Sequence, residues 1–307
     1  MQGSLPELVD ADWASFDPWR VRAVQHRLSD HRLLKIDSLI ELGRRLEALG
    51  RVRTHSSEAY AGTAFNHAPM LYPNGRSTVE TLSDVAAAKA WTSLLNVQTD
   101  DIYRTLVDEV LDDVKPQVDR DDPGMLYRAG WIFVTSPRTI TPFHMDKEHN
   151  FILQIQGKKR LYVWEPDDIV TLTEEARDLF HYNHSRDLVV WREELRARAH
   201  VFELEPGMGA YMPSTSPHLV ENLDGPSITA SFTYYTDATR RNARLHTLHH
   251  RLRTRGLKPS PVGARPMLDS VANAGCLLAD SLKRAVDRTR GRETLSDSVR
   301  YAHPTLA

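Results

Sequence analysis

Apolar residues recur at helical spacing near the start of the chain. Leu33, Leu34, Ile36, Leu39, Ile40, Leu42, Leu46 and Leu49 predict an amphipathic helix that Gly50 can end. Segment 54–78 is rich in His, Ser, Asn, Pro and Gly and predicts a long loop or ribbon. A second helical stretch is predicted from Val79, with Trp91, Leu94, Leu95, Tyr103, Leu106, Val107, Val110 and Leu111 as its apolar face, closed by Pro116 and by Asp122-Pro123-Gly124. From Met125 to Tyr235 the period shortens. Segments 130–136, 150–155, 160–164, 200–204, 210–212, 218–222 and 227–235 read as short strands separated by turns. In the last of them Ile228, Ala230, Phe232 and Tyr234 alternate with Thr229, Ser231, Thr233 and Tyr235, the pattern of a half-buried strand.

Many short strands with turns between them predict a mainly β core, a barrel or sandwich, with helices flanking it. The division that follows is a helical region over 1–124, a β domain over 125–238 with a charged helical insertion at 165–199, and a helical C-terminal region over 239–307 ending in a loose tail. The insertion and segment 54–78 are expected to rim any pocket.

Composition narrows the class. Lys+Arg 39 against Asp+Glu 41 gives a net charge of −2, which removes a global electrostatic case for nucleic acid. The arginines between 240 and 255 are expected to form a solvated helix face. No apolar run approaches the roughly 20 residues of a membrane helix. No secretory signal is visible, and the single Cys276 can form neither an internal disulfide nor a cysteine-based zinc site. A cytoplasmic protein is expected, and the sequon at Asn183 is then incidental.

Candidate chemistry centres on Thr141-Pro142-Phe143-His144-Met145-Asp146. On a strand His144 and Asp146 point to one side, so an imidazole nitrogen and a carboxylate oxygen can converge on one ion. With a distant histidine they make the 2-His-1-carboxylate facial triad, which leaves open positions on an octahedral metal. Alone, His-x-Asp is a weak signal in a chain with 14 histidines. A second segment, Gly207 to Asn222, supplies a glycine before a strand, Pro213 at a turn and His218 at the start of the next strand. The remaining histidines, among them His149, His181, His184, His246, His249 and His250, are expected at outward, loop or surface positions.

The two segments together resemble the paired motifs of the cupin superfamily. The first carries His144, Asp146, Asn150 and Gly157, and the second Gly207, Pro213, His218 and Asn222; Thr215 departs from the usual middle glycine. Within that superfamily the pattern Thr141, His144, Asp146, Asn150, Gly157 and Lys159 resembles the JmjC-like 2-oxoglutarate hydroxylases, the branch that contains the asparaginyl hydroxylase of hypoxia-inducible factor. The resemblance covers about 110 residues. It implies a double-stranded β-helix, Fe(II) on His144, Asp146 and His218, and 2-oxoglutarate and O2 as cosubstrates. It implies that Lys159 and Thr141 meet the distal carboxylate of 2-oxoglutarate, with Lys158 as the register alternative, and that Asn150 lies near the metal. Tyr127 and Ser231 could reach the cosubstrate from neighbouring strands. The implied reaction is hydroxylation of an unactivated C–H on a protein, peptide or small-molecule substrate. Helices after the barrel imply a homodimer. Two other readings stay open: a cupin metalloenzyme that does not use 2-oxoglutarate, and a ligand-binding barrel without catalysis.

Overall fold

A computed structural model describes residues 7–289. Twelve strands and seven helices follow one another as β1 (Val9–Asp10), β2 (Arg22–His26), α1 (Ile36–Glu47), β3 (Val52–Ser56), α2 (Ala68–Leu71), α3 (Thr78–Ser83), β4 (Ala90–Leu94), α4 (Asp101–Val118), β5 (Leu126–Thr135), β6 (Ile140–His144), β7 (His149–Gln156), β8 (Lys159–Val163), α5 (Glu174–Asn183), β9 (His200–Leu204), β10 (Met208–Met212), β11 (His218–Asn222), β12 (Ser227–Tyr235), α6 (Asp237–Arg253) and α7 (Pro266–Thr289). The strands form an eight-stranded sheet, β1-β2-β10-β7-β12-β5-β4-β3, and a four-stranded sheet, β6-β11-β8-β9. All pairings are antiparallel. This is the mainly β core with flanking helices that the sequence predicts. The loose tail lies outside the described residues.

The large sheet is covered by helices on one face and bounds a barrel interior on the other. In β7, Phe151, Leu153 and Ile155 join the core built on Leu39, Leu42, Leu46, Leu106, Val110 and Leu111 of α1 and α4. Ile152, between them, packs inside with Leu161, Val163, Ala210, Met212 and Val220. In β12 the even residues Ile228, Ala230, Phe232 and Tyr234 face the helices as their period predicts. Its odd, hydroxyl-bearing residues do not face water; Thr229, Ser231 and Thr233 are buried inside the barrel. A polar row inside a closed barrel is costly unless it meets partners or a ligand.

The region expected to be helical up to residue 124 also contributes four strands. The predicted second helix is broken, with Trp91 and Leu94 in β4 rather than on a helical face. All five residues of β4 are buried between β3 and β5, and a short run buried on both sides has no period to distinguish it. Helix α4 starts where Asp100 accepts the N–H groups of Ile102 and Tyr103, and it runs through Pro116 to Val118 instead of stopping there. In the last turn a proline forfeits a single backbone bond.

The two-residue turn between β7 and β8 sets the register of the small sheet. Gly157 has φ 74, and a Cβ there would lie 2.2 Å from the carbonyl oxygen of Pro226. Gln154 reinforces the turn by donating to the Gly157 carbonyl oxygen at 3.1 Å and to Ser227 Oγ at 2.8 Å. Because side chains alternate, this turn decides which of Lys158 and Lys159 points inward. Substituting Gly157→Ala is expected to cost about 2–4 kcal/mol, from left-handed strain plus displacement of backbone. Chemical denaturation of the two proteins measures it.

Candidate metal centre

His144 ends β6, His218 begins β11, and the two strands pair directly at these residues. Asp146 follows two residues after His144 in the loop before β7. His144 Nδ1 lies 2.7 Å from the Pro142 carbonyl oxygen, and His218 Nδ1 lies 3.1 Å from that of Ser216. A nitrogen facing a carbonyl must carry the proton, so each Nε2 presents its lone pair to the barrel. Asp146 Oδ2 lies 3.6 Å from His144 Nε2 and 3.7 Å from His218 Nε2. These three donors can hold a metal ion. Burial lowers the pKa of both imidazoles, and His218 lowers that of His144 further. Neutral imidazoles are ready to bind a cation.

The pocket in front of these donors is lined by Phe65, Trp131, Phe133, Thr141, Glu148, Asn150, Ile152, Lys159, Val220, Ser231 and Thr233. Lys159 is the inward lysine. It is 4% exposed, and among the described residues no carboxylate or hydrogen-bond acceptor meets its ammonium. Burial alone pulls its pKa down to about 7. Lys158 points out and pairs with Glu205 at 2.5 Å. Thr141 Oγ1 accepts a hydrogen bond from Trp91 Nε1 at 2.8 Å, so its own proton is left to donate elsewhere. Asn150 Oδ1 and Ser231 Oγ are buried without a hydrogen-bond partner.

Tyr127 is not among the lining residues. The β5–β12 pairing shifts register between Ala129 and Leu126, and Tyr127 itself has φ 51. That irregularity breaks the alternation that places Trp131 and Phe133 inside. Tyr127 packs edge-on against Tyr235 at 6.1 Å, and Tyr235 donates to Glu148 Oε1 at 2.8 Å.

Some residues at the site escape sequence reasoning. Phe65 stacks on His144 with ring centroids 3.7 Å apart. Arg53 lies over the same phenylalanine at 4.1 Å, and Arg186 pairs with Asp146 Oδ1 at 2.8 Å. Glu148 lines the same pocket from the loop that carries Asp146, two residues before Asn150. Thr215 has φ 65, the conformation that the missing glycine would adopt, and its N–H holds the Asp146 carbonyl oxygen at 2.8 Å.

Several histidines lie deeper than expected. His149 is fully buried, facing Asp122 at 3.1 Å and the Tyr211 hydroxyl at 2.8 Å, because its strand is covered on both faces. His181, His246 and His249 are buried where α5 meets α6. There Asp178 takes His246 at 2.7 Å and Arg253 at 2.7 Å, so one of the basic residues of α6 anchors the insertion rather than facing solvent. Glu174, Asp178 and His246 also lie close enough to share an ion. Arg177 and Arg253 already balance the two carboxylates, which leaves no charge for a cation to neutralise.

A sequence profile described as a cupin-like domain matches residues 11–240. HSPB1-associated protein 1 homolog from Danio rerio is 31% identical over 117 residues, 36% of this chain and 26% of that protein. HSPB1-associated protein 1 from Mus musculus is 29% identical over 115 residues, 35% of this chain and 24% of that protein. The matches therefore span about a quarter of the length of these curated relatives. Among solved structures, YcfD, a ribosomal oxygenase from Escherichia coli in complex with cobalt and 2-oxoglutarate, is 17% identical, with 62% of this chain and 46% of that one covered and a TM-score of 0.35. Among the described residues no helix is long and apolar enough to cross a membrane.

Proposed function

The chain belongs to the cupin-like domain family, and from the site its barrel builds we propose that it is an Fe(II)- and 2-oxoglutarate-dependent oxygenase that hydroxylates a C–H bond. One observation carries this reading. A buried lysine without a counter-charge stands in the same pocket as a 2-His-1-carboxylate set. A buried lysine keeps its charge through neutral pH only when an anion neutralises it. An anion that also reaches the metal site answers that need, and 2-oxoglutarate has a carboxylate for each end.

The donor set fits the metal. Two neutral imidazoles and one carboxylate oxygen on one face suit Fe(II), and leave positions for a chelating cosubstrate and O2. When bound, the metal and 2-oxoglutarate together supply the oxidation, coupling loss of CO2 and formation of succinate to oxygen transfer. The residues of the chain do the rest. Lys159 donates a charge-assisted hydrogen bond to the distal carboxylate, and Thr141, its oxygen already engaged by Trp91, donates a second. Ser231 and Asn150 hold polar atoms toward the same bound group. Phe65, Trp131 and Phe133 exclude water. The proposed substrate is a protein side chain or a small metabolite, and a second copy of the chain is the proposed partner in solution.

Anaerobic titration of the metal-free protein with Fe(II) and then 2-oxoglutarate tests the reading. A weak visible charge-transfer band at one equivalent of each is expected, followed by slow succinate release on exposure to O2. Metal binding without the band would transfer the protein to cupin enzymes that do not use 2-oxoglutarate. Absence of metal binding would leave a ligand-holding barrel.

A further inference from the structure

Arg186, in the insertion just after α5, is held on every side. Its Nε donates to the Met145 carbonyl oxygen at 3.0 Å, Nη1 to Asn66 Oδ1 at 2.9 Å and Nη2 to Asp146 Oδ1 at 2.8 Å. The rings of Phe65 and Phe180 lie 5.1 Å and 4.7 Å from the guanidinium carbon. The side chain is 11% exposed. With Oδ1 engaged in this way, Oδ2 is the Asp146 oxygen that faces the two imidazoles.

We propose that Arg186 is a positioning residue that limits Asp146 to a single metal-ligating oxygen and so keeps a coordination position open for 2-oxoglutarate. The inference rests on the oxygenase reading above. An octahedral ion with three protein donors has three positions left, and a chelating cosubstrate with O2 needs all three. A carboxylate free to turn can bind through both oxygens and fill one of them. Arg186 opposes that turn, because Oδ1 would have to give up a charge-assisted hydrogen bond made by a planar, immobilised fork. The same positive charge lowers the electron-donating strength of Asp146. Removing Arg186 therefore leaves metal binding equal or tighter while it weakens cosubstrate binding. A purely structural clamp between the insertion and the 57–67 loop would weaken both together.

The experiment measures Co(II) affinity and then 2-oxoglutarate affinity of the Co(II)-loaded protein, anaerobically, by calorimetry. For Arg186→Met we expect Co(II) affinity within threefold of wild type or better, and 2-oxoglutarate affinity at least tenfold lower. Arg186→Lys, which keeps a donor, should recover most of the loss. Asn66→Ala removes the clamp contact but spares the bond to Asp146, and should leave 2-oxoglutarate affinity unchanged. If Arg186→Met does not fold, Arg186→Lys and Asn66→Ala decide. A parallel fall of both affinities in Arg186→Met, unchanged 2-oxoglutarate binding in it, or a loss in Asn66→Ala larger than that in Arg186→Lys would overturn the proposal. Wild-type protein that binds Co(II) but no 2-oxoglutarate would overturn the oxygenase reading and this inference with it.

Discussion

Replacing Lys159 by methionine should stabilise the protein and disable it for cosubstrate at the same time. The lysine is fully buried, and burial has lowered its pKa to about 7, so folding at neutral pH desolvates a group that is charged in the unfolded chain. Methionine fills similar space with no charge to bury, and a gain on the order of 3 kcal/mol at pH 7 is expected. The sign with pH follows from the depressed folded-state value. Below pH 7 both states hold the proton and the folded state bears the whole penalty. Between pH 7 and about 10.4 the unfolded chain keeps a proton that the folded one releases, so wild-type stability rises and the advantage of the variant shrinks. Cosubstrate binding should move the other way, with 2-oxoglutarate affinity roughly a hundredfold lower in Lys159→Met because one carboxylate then stays buried and unpaired. In wild type, binding at pH 8 should take up about one proton. Denaturation from pH 6 to 10 and calorimetry in buffers of different ionisation enthalpy check both halves. A variant that is less stable yet binds 2-oxoglutarate normally would show that Lys159 faces something other than a bound anion.

The second large effect is expected for His218→Ala. Loss of one of three donors should lower Co(II) or Fe(II) affinity by well over the roughly tenfold to hundredfold that outer residues command, and turnover should fall to background. Folding should survive. The side chain is 5% exposed and its truncation leaves a small cavity, about 1–3 kcal/mol of stability. His144 should in addition become easier to protonate, because His218 is one of the groups that lower its pKa. Metal titration followed by equilibrium dialysis, with thermal unfolding as the control, separates lost ligation from lost structure. Stoichiometric tight binding in the variant would move the metal site elsewhere.

How much of this was legible in the sequence depends on the range of each contact. His144 ends β6, Asp146 follows in the loop, and Asn150 and Lys159 lie in β7 and β8 on either side of the Gly157 turn, so their short spacing along the chain made them legible as one motif. His218 was legible through the second motif, Gly207 to Asn222, and Ser231 through the family resemblance. Trp91 was expected on a helical face and lies in a strand buried on both sides, where no period reports the element, and Tyr127 lies outside the pocket lining where a register shift interrupts β5. Phe65, Arg53 and Arg186 were invisible for another reason. They reach the site from loops and edges 40 to 90 residues away, and nothing periodic in their own segments reports that they arrive there. The buried histidines of α5 and α6 show the same limit, since their partner Asp178 lies 68 residues from His246.

The pairing of β2 with β10 bears on how the chain comes to be folded at all. Arg22 lies opposite Tyr211, and Gln25 opposite Met208. During synthesis β10 is made about 185 residues after its partner β2, a wait on the order of 10–40 s. Through that interval one edge of β2 has open N–H and C=O groups and no neighbour within its own chain to cover them. Pairings this distant also make ring closure a slow, entropically costly step. Expression at high rate should therefore yield aggregates that slower synthesis or lower temperature relieves.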